Sequence, residues 1–299
     1  MENDGKRLLS IHLAVLLFGS AGLFGKLLDF SPIIIVYGRV AFASLFLGLY
    51  IWISIAINLR KHAKSELNGK KGEHVYDLRS VCLILLLGAI LSIHWITFFH
   101  SIQISTVAIG LLSFSTFPIF VVFLEPLFLR SPFRIKYLYF ALLTLLGVRL
   151  LFPGFTWEDA YFQGVVWGCI SGFLFAFLTI INKYLSLKFK AITLAFFQNS
   201  VAFIILFPFA LRLAVHNISL TEWLILALLG VVFTALSHSL FIYGLKTVKA
   251  RIASIIACME PVYGILLAFM ILSETPDVRT VTGGLIIVGT TVYLSLKRP

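Results

Sequence analysis

The chain has 299 residues, 60% of them hydrophobic and only 12% charged, with a mean hydropathy of +1.02. An ordinary soluble domain is about 45–50% apolar and about 25% charged, so the main solvent of this chain is lipid. That sets aside soluble enzymes, nucleic-acid-binding proteins and disordered scaffolds, despite a formal net charge of +11.

Ten apolar stretches follow in chain order, at roughly 8–29, 32–57, 80–101, 105–129, 136–153, 162–184, 191–213, 221–244, 252–273 and 278–296. A spanning helix needs about 20 residues. Continuous apolar runs of this length predict helices, since backbone groups in lipid must be satisfied internally. The alternation of a membrane β-barrel is not seen. The first stretch is long and glycine-rich, with no small-residue cleavage site before a soluble domain. It is therefore read as a retained helix rather than a signal peptide.

Basic residues set the expected orientation. With the N-terminus inside, the inner segments carry Lys6, Arg7, Arg60, Lys61, Lys64, Lys70, Lys71, Arg79, Arg130, Arg134 and Lys136. They also carry Lys183, Lys188, Lys190, Lys246, Lys249, Arg251, Lys297 and Arg298, whereas the outer segments carry only Arg212 and Arg279. This positive-inside bias predicts an integral membrane protein with both termini cytoplasmic. The charge then faces anionic headgroups, not nucleic acid. The 60–79 loop also carries Glu66, Glu73 and Asp77, which weakens any nucleic-acid reading further.

The second half echoes the first. Residues 104–128 and 248–272 each carry a proline expected to sit mid-helix, Pro118 and Pro261, and Val-Ala-Phe recurs at 40–42 and 201–203. The expected fold class is all-α: a polytopic membrane protein of ten transmembrane helices in two inverted five-helix repeats, residues 1–153 and 154–299. Five is odd, so the second unit enters the membrane in the opposite direction. Such repeats place substrate near the midplane.

Some of these residues carry a family resemblance. They are His12 to Ser20 and Lys26 in helix 1, Gly38-Arg39 in helix 2, Pro118 in helix 4, and Glu260-Pro261-Val262-Tyr263-Gly264 in helix 9. The last segment continues to Leu272-Ser273-Glu274 and then Gly283 to Gly289. The chain resembles the drug/metabolite transporter superfamily, in its EamA-like branch, over essentially its whole length. The resemblance implies ten helices, two inverted repeats, a central cavity, and export or exchange of small metabolites. Family members typically have an acidic residue after helix 4; here Arg130-Ser131-Pro132 stands there instead.

Intramembrane charges are the first candidates for a site, because burying one costs about 2.5–3.5 kcal/mol on insertion scales. Glu260 directly precedes Pro261, which frees nearby carbonyls. It is a candidate for binding a substrate amine or a proton, or for a hydrogen bond to exposed backbone. Glu125 is a second candidate nearer the inner end, alternatively a partner for a basic side chain. Arg39 can hold a carboxylate or phosphate through its planar fork, or cross-link helices. Lys26 and Arg149, near the outer ends, read as snorkelling anchors.

His94 and His238 occupy equivalent positions in the two repeats and titrate near physiological pH. His94 has Trp95 and Phe98 beside it. Tyr243 and Tyr263 carry polar tips suited to a cavity wall. Gly164, Gly168 and Gly172 form a stripe at spacing four that lets helices approach closely. With Pro118 and Pro261 they are the hinge and packing candidates. Cys82, Cys169 and Cys258 read as small packing residues. No metal, cofactor or nucleotide motif is present, and no nucleophile motif.

The expected function is secondary active transport of small organic metabolites, amino acids or related amphipathic compounds, by alternating access. Export is the expected direction, with proton or exchange coupling open. The bilayer and a small-molecule substrate are the expected partners, no catalytic residue or cofactor is expected, and short loops suggest a bacterial inner membrane. The alternatives are uptake or exchange of a nucleotide-like metabolite by the same fold, and a non-transport membrane enzyme or scaffold.

Overall fold

Apolar stretches too long to leave unpaired backbone in lipid become helices, two of them interrupted. The computed structural model describes residues 2–62, 77–129, 136–152, 154, 156–213 and 218–296, and contains no strand among them. The Arg130-Ser131-Pro132 departure, the repeat boundary at Pro153, Asn217 and most of the 60–79 loop lie outside the described residues.

The elements are α1 (Glu2–Lys26), α2 (Pro32–His62), α3 (Leu78–Ile104), α4 (Val107–Phe114), α5 (Phe117–Leu129), α6 (Lys136–Arg149) and α7 (Ala160–Leu185). The second half has α8 (Ala191–Ala210), α9 (Leu220–Gly230), a π-helical turn (Val231–Leu236), α10 (Ser237–Leu245), α11 (Ala250–Ala257), α12 (Glu260–Leu272) and α13 (Val278–Leu296). Among the described residues, 8 segments are long and apolar enough to cross a membrane. α6 and α13 correspond to the remaining two apolar stretches. Large apolar side chains cover the outside of the bundle: Leu45, Ile204 and Met270 are exposed where a soluble protein would place charges.

Helix ends are locally encoded. Asp159 accepts from the backbone N–H groups of Tyr161 and Phe162 and starts α7, while Ser219 and Glu222 form a reciprocal capping box at α9. α12 stops at Ser273, whose φ of 56° is left-handed, and the Glu274 N–H returns to the Ala268 carbonyl. This closure turns Glu274 back toward the bundle.

Two spanning segments are broken. α4 and α5, of 8 and 13 residues, are separated by Ser115-Thr116; α11 and α12, also of 8 and 13 residues, are separated by Cys258-Met259. The expectation that Pro118 and Pro261 sit inside a helix is corrected here. Each is the second residue of a new helix, where its missing N–H would have had no partner. The breaks touch, with the Cys258 thiol 3.8 Å from the Ser115 carbonyl. α4 begins beside Lys26 and Glu274, whereas α11 begins beside Glu125, near Lys183 and Lys246, so the two repeats run in opposite directions. We call the end holding Arg7, Lys183, Lys190 and Lys246 the basic end.

The core runs through α1–α5 and α7–α12. α3 and α4 lie against α7, α2 against α8, and α1 against α10 and α12. α6 and α13 pair at the periphery over a smaller cluster that includes Ile109, Val148 and Ile287. The glycine stripe Gly164, Gly168 and Gly172 faces Ser105, Ser113 and the Phe114 carbonyl, so it packs α7 onto the α3–α4 corner. Cys82 is exposed, unlike the packed Cys258, and so does not fill the core.

Candidate functional site

The second break places a carboxylate at the centre of the bundle. α11 ends in tight turns, with the Cys258 and Met259 N–H groups bonded three residues back, and α12 restarts at Glu260-Pro261. α1 holds this junction closely. A Cβ on Gly19 would stand 2.7 Å from the Glu260 carbonyl oxygen, and one on Gly264 would stand 2.7 Å from the Gly19 oxygen. Glu260 is 3% exposed, and its Oε1 has no hydrogen-bond partner among the described residues.

The first repeat treats its break differently. Phe117 stands where Glu260 stands in the second. The Ser115 hydroxyl donates to the Leu111 carbonyl and the Thr116 hydroxyl to the Ser113 carbonyl, so that break satisfies its own backbone. The polar demand at the centre is therefore one-sided.

Glu260 faces a small chamber of about 10 Å³, lined by Phe18, His94, Trp95, Phe98, Phe114 and Phe175. That is about one water-sized probe. The rings hold one another edge to face: Phe18 and Phe175 have centroids 6.2 Å apart, and Trp95 and Phe98 5.4 Å apart. His94 Nδ1 lies 3.0 Å from the Ser171 carbonyl oxygen and 2.9 Å from its hydroxyl. A carbonyl only accepts, so Nδ1 carries the hydrogen and Nε2 of the neutral ring keeps its lone pair.

Behind Trp95 lies Arg39, fully buried, with its guanidinium carbon 3.6 Å from the Trp95 ring centroid. Arg39 Nε donates to the Thr234 hydroxyl at 2.8 Å and Nη2 to the Phe233 carbonyl at 3.1 Å. Both partners belong to the π turn, whose wider winding releases carbonyls from the helical ladder. Nη1 has no hydrogen-bond partner among the described residues, and neither has Trp95 Nε1.

The sequence candidates thus separate in space. Glu260, His94 and Trp95 share the chamber and Arg39 backs its Trp95 wall, whereas His238, buried in the first turn of α10, is not in the chamber lining. Tyr263 packs beside Gly19 on the same junction. Tyr243 lies toward the basic end under the Arg7 guanidinium, 5.5 Å from its ring centroid. Glu125 is away from the chamber: its Oε2 is 3.4 Å from Arg251 Nε at the basic end. Lys26 is more than an anchor. It donates to the Ile102 and Ser105 carbonyls at 2.7 Å each, capping α3, and pairs with Glu274, whose Oε2 accepts from the Val107 N–H.

Sequence reasoning left out Phe18, Phe114 and Phe175 as chamber residues, Ser171 as the partner of His94, and the π turn altogether. One signal was present. A shift of 157 residues superposes Phe18 on Phe175 and Lys26 on Lys183. Nothing in the apolar run of residues 231–236 marks a π turn.

A buried chamber between broken antiparallel segments defines a polytopic membrane protein with an internal polar site. The chain belongs to the EamA-like transporter family, whose model matches residues 6–152 and 162–296. It is 24% identical over 290 residues to "Uncharacterized transporter YxxF" of Bacillus subtilis, covering 96% of this chain and 88% of that one. It is 25% identical to "Uncharacterized inner membrane transporter YicL" of Salmonella typhimurium, covering 99% and 97%. It is 23% identical to "Pseudopaline exporter CntI" of Pseudomonas aeruginosa, covering 73% and 76%. A solved crystal structure shares the fold with a TM-score of 0.67 at 16% identity, covering 98% of this chain and 97% of that one.

Proposed function

We propose that the protein is a secondary active transporter for a small amphipathic metabolite bearing an amine, an amino acid or a related compound, moved by alternating access. The observation that carries this reading is the unpartnered Oε1 of buried Glu260 facing an aromatic chamber. A carboxylate beside aromatic faces suits an ammonium group, which gains both ion pairing and cation–π attraction once water is excluded. The Nη1 of Arg39 and Nε1 of Trp95, both buried without a hydrogen-bond partner among the described residues and next to one another at the chamber's Trp95 wall, suit the carboxylate of the same zwitterion once that wall moves in the transport cycle. His94, with Nε2 left as an acceptor, is a second proton-accepting group beside Glu260.

The repeats at 1–153 and 154–299 rock about the abutting breaks and the glycine contacts of α7. The basic end is cytoplasmic by the distribution of Lys and Arg. A bacterial inner membrane and an outward direction are supported by the likeness to the Salmonella and Pseudomonas proteins named above. The nucleotide-exchange alternative has less support, since Arg39 spends Nε and Nη2 on the π turn.

The test is a thermal-shift screen of the purified protein against amino acids, amines and nucleotides, followed by flux in liposomes with and without a pH gradient. A bound ligand stabilises the folded state by mass action. Amine-bearing compounds stabilise the protein, and Glu260→Gln loses both that stabilisation and flux. Full binding and transport in Glu260→Gln would overturn the proposal.

A further inference from the structure

α2 and the helix formed by α9, the π turn and α10 make their close approach away from the basic end. There a Cβ on Gly230 would lie 2.6 Å from the Arg39 carbonyl oxygen, and Gly38 rests on Leu226. The π turn follows Gly230 at once. Toward the basic end, α2, α8 and α10 line a cleft of about 880 Å³. Tyr50 and Ile55 of α2, Phe196 of α8, Leu236 at the end of the π turn and Leu240 of α10 are in its lining. This volume lies within the roughly 300–1,000 Å³ of sites that enclose a small organic molecule.

Two properties give the cleft a chemistry. First, it opens sideways: Tyr50, Ile55 and Leu236 remain 50%, 53% and 45% exposed, on the surface that the bundle turns to lipid. Second, its charge has one sign. Arg7, Lys190 and Lys246 line it at the basic end, and its lining contains no Asp or Glu. Arg7 Nε and Ser239 Oγ, both in the lining, are buried without a hydrogen-bond partner among the described residues.

We infer that this cleft is a binding site for an anionic phospholipid of the leaflet at the basic end. The phosphate sits among Arg7, Lys190 and Lys246, and an acyl chain lies between α2 and α10. A soluble anion would gain nothing from the apolar walls and the sideways opening. A zwitterionic lipid would gain little from three uncompensated cations. The inference does not depend on what the central chamber carries.

The experiment uses the full chain, purified in an uncharged detergent. Dioleoylphosphatidylglycerol, dioleoylphosphatidylcholine and glycerol phosphate are titrated separately, with bound lipid counted by native mass spectrometry and stability read by thermal shift. Phosphatidylglycerol binds about tenfold or more tightly than phosphatidylcholine, and glycerol phosphate at the same concentration has no effect. Removing a cation weakens phosphatidylglycerol by about fivefold per charge, since each basic side chain near an anionic surface contributes on the order of that factor. Arg7→Gln with Lys246→Gln therefore narrows the preference, and Lys190→Gln serves where that pair does not fold. Ser239→Trp fills the cleft and reduces retention of phosphatidylglycerol, whereas Arg212→Gln, outside the cleft, changes nothing. Equal binding of the two lipids, equal stabilisation by glycerol phosphate, a preference unchanged in folded charge variants, or full retention in Ser239→Trp would each overturn the inference.

Discussion

Lys26 and Lys183 perform the same task at opposite ends of the bundle. Lys26 places its ammonium on the Ile102 and Ser105 carbonyls that end α3, and Lys183 places its own on the Leu245 and Val248 carbonyls that end α10. Helix C-termini leave carbonyls without partners and carry partial negative charge, so a lysine from a neighbouring helix satisfies both demands. Each lysine also ties α1 or α7 to the third spanning helix of its repeat.

Removing either ammonium strands those carbonyls. Lys26→Met and Lys183→Met each lower stability by about 2 kcal/mol, in the range for hydrogen bonds to charged groups. The double variant is additive, because the sites lie at opposite ends of the bundle and share no partner. Thermal unfolding of the purified variants checks both points. Strong non-additivity would mean that the two ends are mechanically coupled.

Gly19 is a packing requirement for the chamber. Gly19→Ala drives a methyl against the backbone of Glu260, which cannot swing away as a side chain would. Overpacking of this kind costs about 1–3 kcal/mol. Gly289→Ala is the control, since a Cβ there meets nothing within 4 Å. Ligand-induced thermal shifts fall in Gly19→Ala and stay at the wild-type level in Gly289→Ala.

Arg39 and Thr234 act as a pair. Lysine has no planar face to lie over Trp95 and no fork to reach both the Thr234 hydroxyl and the Phe233 carbonyl, so Arg39→Lys is destabilising by about 2 kcal/mol or more. Thr234→Val leaves Arg39 Nε buried without an acceptor. A double-mutant cycle between the two reads a coupling of about 0.5–3 kcal/mol. A coupling of zero would show that the guanidinium is held by the aromatic stack alone.

Asp277 caps α13 from outside the helix, its Oδ1 accepting from the Thr280 N–H at 2.7 Å. Hydrogen bonds from the Thr280 side chain and backbone hold this carboxyl below its ordinary value. A depressed folded-state value contributes stability that is fully present above the unfolded carboxylate pKa of about 3.9, and that is lost as pH falls through the folded value. Asp277→Ala therefore lowers the melting temperature at neutral pH, and the difference from wild type closes in acid. A difference that persists at the lowest pH would assign the effect to packing instead.

Glu125-Pro126 and Glu260-Pro261 mark the limit of one-dimensional reading. The same dipeptide occurs near the ends of related segments, and sequence ranked both acids as site candidates. In the fold, Pro126 lies inside α5 and Glu125 reaches Arg251, while Pro261 opens α12 and Glu260 is left at the centre. The difference lies in depth along the bundle and in which neighbours arrive there.

What the sequence determined by itself was the solvent, the approximate spans and the one-sided distribution of charge. These follow from local chemistry: the length of apolar runs and the sidedness of Lys and Arg. That the helices restart at Pro118 and Pro261 was not among its readings. The tertiary structure alone decided which of the 29 Phe residues surround Glu260, that Ser171 orients His94, that a π turn holds Arg39, and that a cleft lies beside α2. In lipid every face of these helices is apolar, so hydropathy carries no inward or outward sign. Inside and outside are settled by which helices can approach closely, at Gly19, Gly164, Gly168, Gly172 and Gly230, and those contacts join residues far apart in the chain.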